Sequence, residues 1–312
     1  MTAAVIAGSA EGVSVVWGVS PDSAGFSYSY DNGKIWTNQS TPLDRATLYG
    51  TPRGTWLASR LLQNGYIYRS INNGQNWGVP YYTGVASPIV VITSDGNNNW
   101  FITYDSGAGR YSSDDGLTWS TSSSSVGSLD VRGNVVTDGS GTWVGVGAGG
   151  NMFRSTDNCA NWTLISNSHS SYIRNISTDL NGNWVACGDN GEISRSTDDG
   201  VTWGSLLSTS FTTDISALTY SNGTFIASDS SNGVYISTDQ GATWARGSTP
   251  FSTSLTRIVA GTGSNVVGVT SAATAYYSSN SGNSWTVATT SPTSGTINQT
   301  FGQQLSNNAR HH

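Results

Sequence analysis

Charged residues recur at one position of the chain, nine to eleven residues ahead of a Trp, Phe or Val that opens an apolar run. The residues at this position are Arg45, Arg132, Arg174, Asp214 and Arg257. An Arg guanidinium binds a carboxylate through two parallel hydrogen bonds, and an Asp carboxylate accepts hydrogen bonds from hydroxyl groups. If the fold brings these side chains to one face, they predict a binding site for an anion or a glycan.

Three further acidic residues accompany this series: Asp130 beside Arg132, and Asp189 and Glu192 in a separate loop. One interpretation is that they complete the binding site. The alternative is that Arg and Asp pair with each other and hold neighbouring elements in register, since surface ion pairs are common and weak. Asp130 with Asp189 or Glu192 would also supply the two carboxylates that glycoside hydrolysis requires.

The elements that position these residues are marked by an octapeptide that occurs seven times and ends in Trp, with 41 to 43 residues between successive Trp residues. It begins with Ser, and its third position holds Asp31, Asn72, Asp114, Asp157, Asp198, Asp239 and Asn280. Asp or Asn there can bond the backbone two residues on, and Gly at the fifth position tolerates positive φ. Each copy predicts a hairpin turn, although Cys159 replaces Gly in the fourth copy.

Short apolar runs separate the octapeptides, as in the stretches 141–146 and 173–177. Each repeat of about 41 residues has room for four short strands, and four strands repeated seven times is the composition of a β-propeller. The sequence therefore predicts an all-β, seven-bladed propeller over residues 1–291, with four antiparallel strands in each blade. Arg69, Arg154 and Arg195 directly precede the octapeptide Ser, and we interpret them as packing residues.

The octapeptide resembles the Asp-box, also called the bacterial neuraminidase repeat, over residues 1 to about 290. The resemblance implies a structural turn between the third and fourth strands of each blade, at its periphery. The family includes sialidases, glucan hydrolases, sorting receptors, photosystem assembly factors and viral binding proteins, so the fold does not choose the function. Asn72 and Asn280 replace Asp in two copies, which argues against seven metal sites. We expect no metal and no cofactor.

Resemblance to the sialidases would imply three Arg residues on the substrate carboxylate, a Tyr nucleophile assisted by Glu, an Asp acid and an Arg-Ile-Pro tripeptide. The chain contains no Arg-Ile-Pro, and only Glu192 is placed to assist a Tyr. We predict no catalytic residues, and keep a sialidase-like glycoside hydrolase as an alternative.

The composition of the chain limits the classes of partner that it can bind. Only 10% of residues are charged, the net charge is −6, and no basic run exists, which excludes a nucleic-acid footprint. No apolar stretch of about 18 residues predicts insertion into a membrane. The Ser, Gly, Asn and Tyr content is typical of adaptable binding surfaces. We predict a non-enzymatic protein that recognises a glycan or cell-surface polysaccharide, in an extracellular or virus-particle setting such as a phage tail.

Two alternatives accompany that prediction. The alternative function is a structural or assembly scaffold that binds a protein partner, including other structural proteins of a particle. The alternative location is the cytoplasm. An oligomer is compatible with either setting.

The C-terminal segment 292–312 resembles the start of a further repeat, because Pro292 lies 42 residues after Pro250. We predict that this tail closes the ring or packs on a partner subunit. Cys159 and Cys187 are predicted to be free thiols. His169, the only His outside the C-terminal pair, is predicted to be a polar loop residue, which leaves too little material for a His-based triad.

Overall fold

The computed structural model describes residues 5–6, 16–19, 26–29, 31–39, 46–51, 53–60, 63–72, 74–124, 130–131, 133–207, 211–261 and 263–291. Arg45, Arg132 and the segment 292–312 lie outside the described residues, so the predictions made for them stay predictions. The described part of the chain is all-β apart from two single-turn 3₁₀ helices, Ala148–Gly150 and Asp189–Gly191. Its helices include none with the length and apolar character needed to span a membrane.

Within these ranges the strands form seven sheets, numbered here in chain order. Sheet 1 contains β1 (Val5–Ile6), β2 (Val16–Val19), β3 (Phe26–Ser29) and β4 (Thr37–Gln39). Sheet 2 contains β5 (Ala46–Gly50), β6 (Trp56–Arg60), β7 (Tyr66–Ser70) and β8 (Tyr81–Tyr82). Sheet 3 contains β9 (Ile89–Ser94), β10 (Trp100–Tyr104), β11 (Gly109–Ser112) and β12 (Ser120–Thr121). Sheet 4 contains β13 (Ser123–Ser124), β14 (Asn134–Thr137), β15 (Trp143–Val146), β16 (Met152–Ser155) and β17 (Asn161–Leu164).

Sheet 5 contains β18 (Ile173–Thr178), β19 (Trp184–Gly188) and β20 (Ile193–Ser196). Sheet 6 contains β21 (Ile215–Ser221), β22 (Thr224–Asp229), β23 (Val234–Ser237) and β24 (Ala245–Arg246). Sheet 7 contains β25 (Leu255–Ala260), β26 (Val266–Thr270), β27 (Ala275–Ser278) and β28 (Thr286–Val287).

Five of the seven sheets in the described part have four antiparallel strands, as expected, and two differ. In sheet 4 a fifth strand, β13, pairs in parallel with β17, so that Ser123 faces Asn161. In sheet 5 the segment after Trp203 follows β20 through only two backbone bonds, from Gly204 N to the oxygen of Arg195 and from Leu207 N to that of Ile193, at 3.0 and 2.8 Å. That spacing is too sparse for a regular fourth strand.

The sheets follow one another around a central channel. The first strands of successive sheets are neighbours, from β5 to β9, β14, β18, β21 and β25. They enclose a cavity of about 50 Å³, enough for a few water molecules. At the outside, Trp36 of sheet 1 packs in one cluster with Val267 of sheet 7, and Thr289 N donates to the oxygen of Lys34 at 2.8 Å. The last sheet therefore lies against the first. Within the described residues, neither of these two sheets contains a strand from the other end of the chain.

All seven octapeptides form the same turn. The Ser hydroxyl donates to the Asp or Asn side-chain oxygen at 2.7 to 2.9 Å. It also accepts the N–H of the fifth residue at 2.9 to 3.1 Å. The Asp or Asn oxygen accepts the N–H of the seventh residue at 2.9 Å. The seven third-position residues are thus held inside the turn.

The fifth position of the turn favours Gly for two reasons. Its φ lies between +68° and +85° in the seven copies, including +68° at Cys159. It also packs on the second strand of the preceding sheet: a Cβ at Gly241 would lie 2.4 Å from Cγ2 of Val185, and one at Gly33 would lie 2.3 Å from Cγ2 of Val267. Gly116, Gly200 and Gly282 pack on the preceding sheet in the same way, so these five turns dock one sheet onto the sheet before it.

Candidate functional site

The predicted binding residues that the structure describes lie at one end of the central channel, where the first strands begin. Arg174 is the second residue of β18, Asp214 directly precedes β21, and Asp189 and Asn190 belong to the 3₁₀ turn after β19. We name Arg174, Asp189, Asn190 and Asp214 the mouth cluster. The loops that enter first strands and those that join second to third strands meet here, as the repeat alignment predicts.

Arg174 connects two sheets across the mouth. Its Nε bonds Oδ1 of Asp189, and its Nη2 lies 3.1 Å from Oδ2 of Asp214, which precedes sheet 6. Asn190 N donates to the other oxygen of Asp214 at 3.1 Å, and the Arg174 guanidinium lies 5.8 Å from the centre of the Tyr172 ring. The side chains of Arg174 and Asp214 are 41% and 42% exposed, so the cluster is both internally paired and open to solvent.

Arg257 and Asp130 lie at the same end of the channel. Arg257 is the third residue of β25, lines the central cavity, and donates from Nη1 to the carbonyl oxygen of Thr256 at 2.6 Å. Burial, with a smaller contribution from the charge of Arg174, lowers the pKa of Arg257 to about 10, so it stays positive at neutral pH. Asp130 is partly buried in the loop that leads into β14.

Glu192 is held beneath the mouth by two serines. It accepts the hydroxyl of Ser170 at 2.8 Å and the backbone N–H groups of Ser170 and Ser171 at 3.2 Å. Burial alone would raise the pKa of Glu192, but these hydrogen bonds and the nearby His169 outweigh it, so the pKa lies below its usual value. Glu192 is therefore a carboxylate at neutral pH.

His169 lies in a loop, as the sequence predicts, and its side chain is buried there. Its Nε2 lies 2.8 Å from the Ser194 hydroxyl and its Nδ1 lies 3.4 Å from Glu192 Oε2. This Ser–His–Glu order is that of a hydrolytic triad, but the His169 side chain and Ser194 have 0% exposure, so no substrate reaches the hydroxyl. Burial lowers the pKa of His169 against the opposing effect of Glu192.

The position of His169 in the repeat accounts for its burial, which the sequence interpretation did not predict. It stands four residues before β18, where Phe211 and Phe251 stand four residues before β21 and β25. Phe211 packs on the ring of Tyr235 with centres 4.1 Å apart, and Phe251 packs on Tyr276 at 4.8 Å. The alignment of repeats therefore held the signal that His169 occupies a core position.

At the outer rim, two of the Arg residues that precede an octapeptide form bridges to the next sheet. Arg69 Nη2 lies 2.5 Å from Oδ2 of Asp115, whose carboxylate also accepts the Thr55 hydroxyl at 2.7 Å and Trp100 Nε1 at 3.1 Å. We name this contact and its counterpart, Arg154 with Asp199 at 3.1 Å, the rim bridges. Asp199 has the same additional partners, Thr142 at 2.7 Å and Trp184 Nε1 at 3.2 Å.

Neither metal binding nor thiol chemistry finds support in the described residues. They contain no group of three or more His, Cys, Asp or Glu side chains arranged to hold a metal ion. Cys159 and Cys187 are buried free thiols, and burial raises the pKa of both.

Comparison with known proteins gives the fold. No family model matches the sequence, and no curated protein matches it. Among solved structures, YCF48 bound to D1 peptide is similar with 15% identity, 80% of this chain, 87% of that chain and a TM-score of 0.60. The GH74 xyloglucanase from Xanthomonas campestris is similar with 14% identity, 90% of this chain and a TM-score of 0.69. This chain spans 52% of that enzyme.

The WD40 beta propeller domain of Doa1 is also similar, with 11% identity, 89% of this chain, 90% of that chain and a TM-score of 0.58. These neighbours are β-propellers, and the chain accordingly has a β-propeller fold. Identities this low carry the fold and not the activity.

Proposed function

We propose that the protein is a non-enzymatic, seven-bladed propeller of the Asp-box type that recognises a glycan at the mouth of its channel. The setting we propose is extracellular or on a virus particle. The observation that carries the proposal is the mouth cluster, in which half-exposed Arg, Asp and Asn side chains are fixed by one another beside a Tyr ring. Preorganised hydrogen-bonding groups next to an aromatic ring suit a sugar, because little side-chain freedom is lost on binding.

Charge refines the class of glycan. Among the described residues at this end of the channel, two Arg residues accompany four carboxylates, which leaves two excess negative charges, and Asp189 and Asp214 already occupy the guanidinium of Arg174. A ligand carboxylate would have to displace one of them. A neutral glycan is therefore favoured over a sialylated or otherwise acidic one.

An array of neutral and acidic glycans tests this proposal with three proteins: the unmodified chain, Arg174→Ala, and Arg246→Ala. Arg246 lies on the exposed edge strand β24, so it is matched in charge but remote from the mouth. We expect selective retention of a neutral glycan, lost in Arg174→Ala and kept in Arg246→Ala. Retention of no glycan, or equal retention by all three proteins, would contradict the proposal.

A scaffold that binds a protein partner is the second candidate, and an exposed patch on sheet 2 favours it. Val79 is 91% exposed, Tyr81 47% and Tyr82 44%, and the rings of Tyr66 and Tyr82 have centres 5.1 Å apart. Exposed aromatic groups of this kind mark interaction surfaces. Cross-linking through a photoreactive group at Val79 would capture a particle protein if this candidate is correct.

Glycoside hydrolysis is the third candidate, since one similar structure is a xyloglucanase. Such chemistry needs a carboxylic acid with a raised pKa beside a second carboxylate. The pKa of Glu192 is lowered, and Asp189 is bonded to Arg174. Release of reducing ends from xyloglucan would establish this candidate over simple binding.

A further inference from the structure

A groove runs between sheets 4 and 5 at the outer rim, far along each sheet from the channel. It has a volume of about 520 Å³, within the range of small-molecule sites. One wall is β17 with the turn that precedes it, and the other is the end of the next octapeptide turn. The groove exists because sheets that radiate from a common channel diverge as they run outward.

Hydroxyl and amide groups lie beside three aliphatic residues along this groove, Leu164, Ile165 and Val201. Leu164 and Val201, which are 41% and 55% exposed, supply the apolar surface. Most of the other lining residues are polar, including Asn161, Thr163 and Thr202. Exposed aliphatic groups framed by hydroxyls match a sugar ring, which offers an apolar C–H face and a polar edge.

The charged side chains in the lining are engaged within the protein. Arg154 is bridged to Asp199, with its Nε also donating to the Asp199 carbonyl oxygen at 2.9 Å. Asp157 is engaged by the N–H and side-chain amide of Asn161 at 2.9 and 2.8 Å. An anionic ligand would find no free cation to pair with, and the Asp157 oxygens are already occupied by donors, so an uncharged, hydroxyl-rich ligand is favoured.

The same arrangement recurs at one other junction between sheets. Leu164 stands two residues after an octapeptide Trp, and Val201 stands one residue after the Gly of the next octapeptide. The same two positions hold Val79 and Leu117 at the junction between sheets 2 and 3. Val79 and Leu117 are 91% and 58% exposed. The remaining junctions carry at least one polar residue or Ala at these positions, as in Ser205 with Ala242.

The two junctions with aliphatic pairs are also the two that carry the rim bridges, Arg69 with Asp115 and Arg154 with Asp199. We propose that the groove between sheets 4 and 5 is a binding site for an uncharged oligosaccharide, and that the junction between sheets 2 and 3 is a second copy of it. This proposal rests on the proposed glycan-binding function and adds a second site, separate from the mouth cluster, that retains its own neutral glycan. The rim bridge fixes the groove walls, and the aliphatic pair supports the sugar face.

Filling each groove tests the proposal. Val201→Trp and Leu117→Trp place a large ring on an exposed turn position, and Ala242→Trp makes the matched change at the junction between sheets 5 and 6. Among the neutral glycans that do not depend on Arg174, we expect each single filled variant to lose about half of the bound glycan and the double variant to lose at least about tenfold in affinity. Ala242→Trp should bind like the unmodified protein, and thermal unfolding should show all variants folded.

The outcomes separate the two sites. Loss in the double filled variant of a neutral glycan that Arg174→Ala still retains supports the rim grooves. Loss in Arg174→Ala with full retention in the double filled variant overturns the groove proposal and leaves the mouth proposal standing. Retention of no neutral glycan by the unmodified protein overturns both.

A second readout reports on the groove directly. A fluorophore attached at Val201→Cys should change emission when the array-selected oligosaccharide is added, while the same label at Ala242→Cys should not. Cys159 and Cys187 are buried, so labelling is confined to the introduced thiol. An unchanged signal at both positions would count against the groove.

Discussion

The rim bridges and the mouth cluster place the same chemistry, an Arg against carboxylate oxygens across two sheets, in two different surroundings. Arg154 and Arg69 are 21% and 26% exposed, and their Asp partners also hold a Thr hydroxyl and a Trp indole N–H. Arg174 is 41% exposed and lies beside loops instead of packed turns. The rim contacts are therefore packed between sheets, whereas the mouth contacts remain open to solvent.

The largest expected effect is at the rim. Asp199→Ala leaves Arg154, Thr142 and Trp184 Nε1 without their shared acceptor. Because hydrogen bonds to a charged acceptor contribute about 1.5–3 kcal/mol, we expect a loss of about 2–3 kcal/mol in the free energy of unfolding. Urea denaturation measures it.

Asp199→Asn is the control for that change, because it keeps an oxygen acceptor in place. It should cost clearly less than Asp199→Ala. Equal costs for the two variants would show that the carboxylate contributes through charge alone and not through the shared hydrogen bonds.

The mouth and the rim are expected to lose stability over different ranges of acid pH. The pKa of buried His169, beneath the mouth, lies below its ordinary value of 6.5, so the unfolded chain takes up a proton first and stability falls as pH drops below about 6.5. At the rim, the hydroxyl of Thr202 first, and then its N–H, lower the pKa of Asp198 from 3.8 to about 2. That contribution is present above pH 3.8 and is lost as pH falls towards 2.

His169→Phe tests the upper window, since Phe is the residue at the matching position of the next two sheets. The variant should lose the decline in stability just below pH 6.5 and keep the decline below pH 3.8. Thermal unfolding followed across pH measures both. A decline near pH 6.5 that persists in His169→Phe would have to come from other groups.

A smaller effect is expected at the mouth. Arg174→Ala should change the free energy of unfolding by less than about 1 kcal/mol, because exposed ion pairs are screened by solvent. The same variant is expected to lose glycan binding, so stability and binding should respond oppositely to the Asp199 and Arg174 substitutions. A loss of stability at Arg174→Ala as large as at Asp199→Ala would make the mouth cluster a structural bridge like those at the rim.

The repeat made the turns predictable, because the hydrogen bonds that form them join residues two to four positions apart. The rim bridges could also have been predicted by aligning each octapeptide with the next. The residue before one octapeptide pairs with the fourth residue of the following one, as Arg69 does with Asp115. Tyr111 and Asn158 take these positions in the copies between, where Trp143 Nε1 has no hydrogen-bond partner. Reading each Arg within its own repeat, and not against the following one, concealed this pairing.

The mouth could be predicted only as a group of residues. Alignment placed Arg174, Asp189 and Asp214 at one end of the channel, but their pairing depends on the 3₁₀ turn at Asp189–Gly191. There Asn190 adopts a φ of +58°, a loop conformation that no spacing encodes. The break of sheet 5 after Trp203 likewise follows from local backbone geometry that the strand count did not reveal.

The smallest expected effect lies at the one octapeptide that departs from the repeat. Cys159 has a φ of +68°, which Gly adopts without strain, but its side chain is buried in a cluster with Phe101 and Trp162. Cys159→Gly relieves about 1 kcal/mol of backbone strain and removes a buried thiol of similar worth, so the net change should stay within about 0.5 kcal/mol. Urea denaturation of Cys159→Gly beside Gly241→Ala completes the comparison, since the latter adds a Cβ 2.4 Å from Val185 and should destabilise by clearly more. Equal effects would mean that the fifth position of the turn is selected by φ alone and not by contact with the preceding sheet.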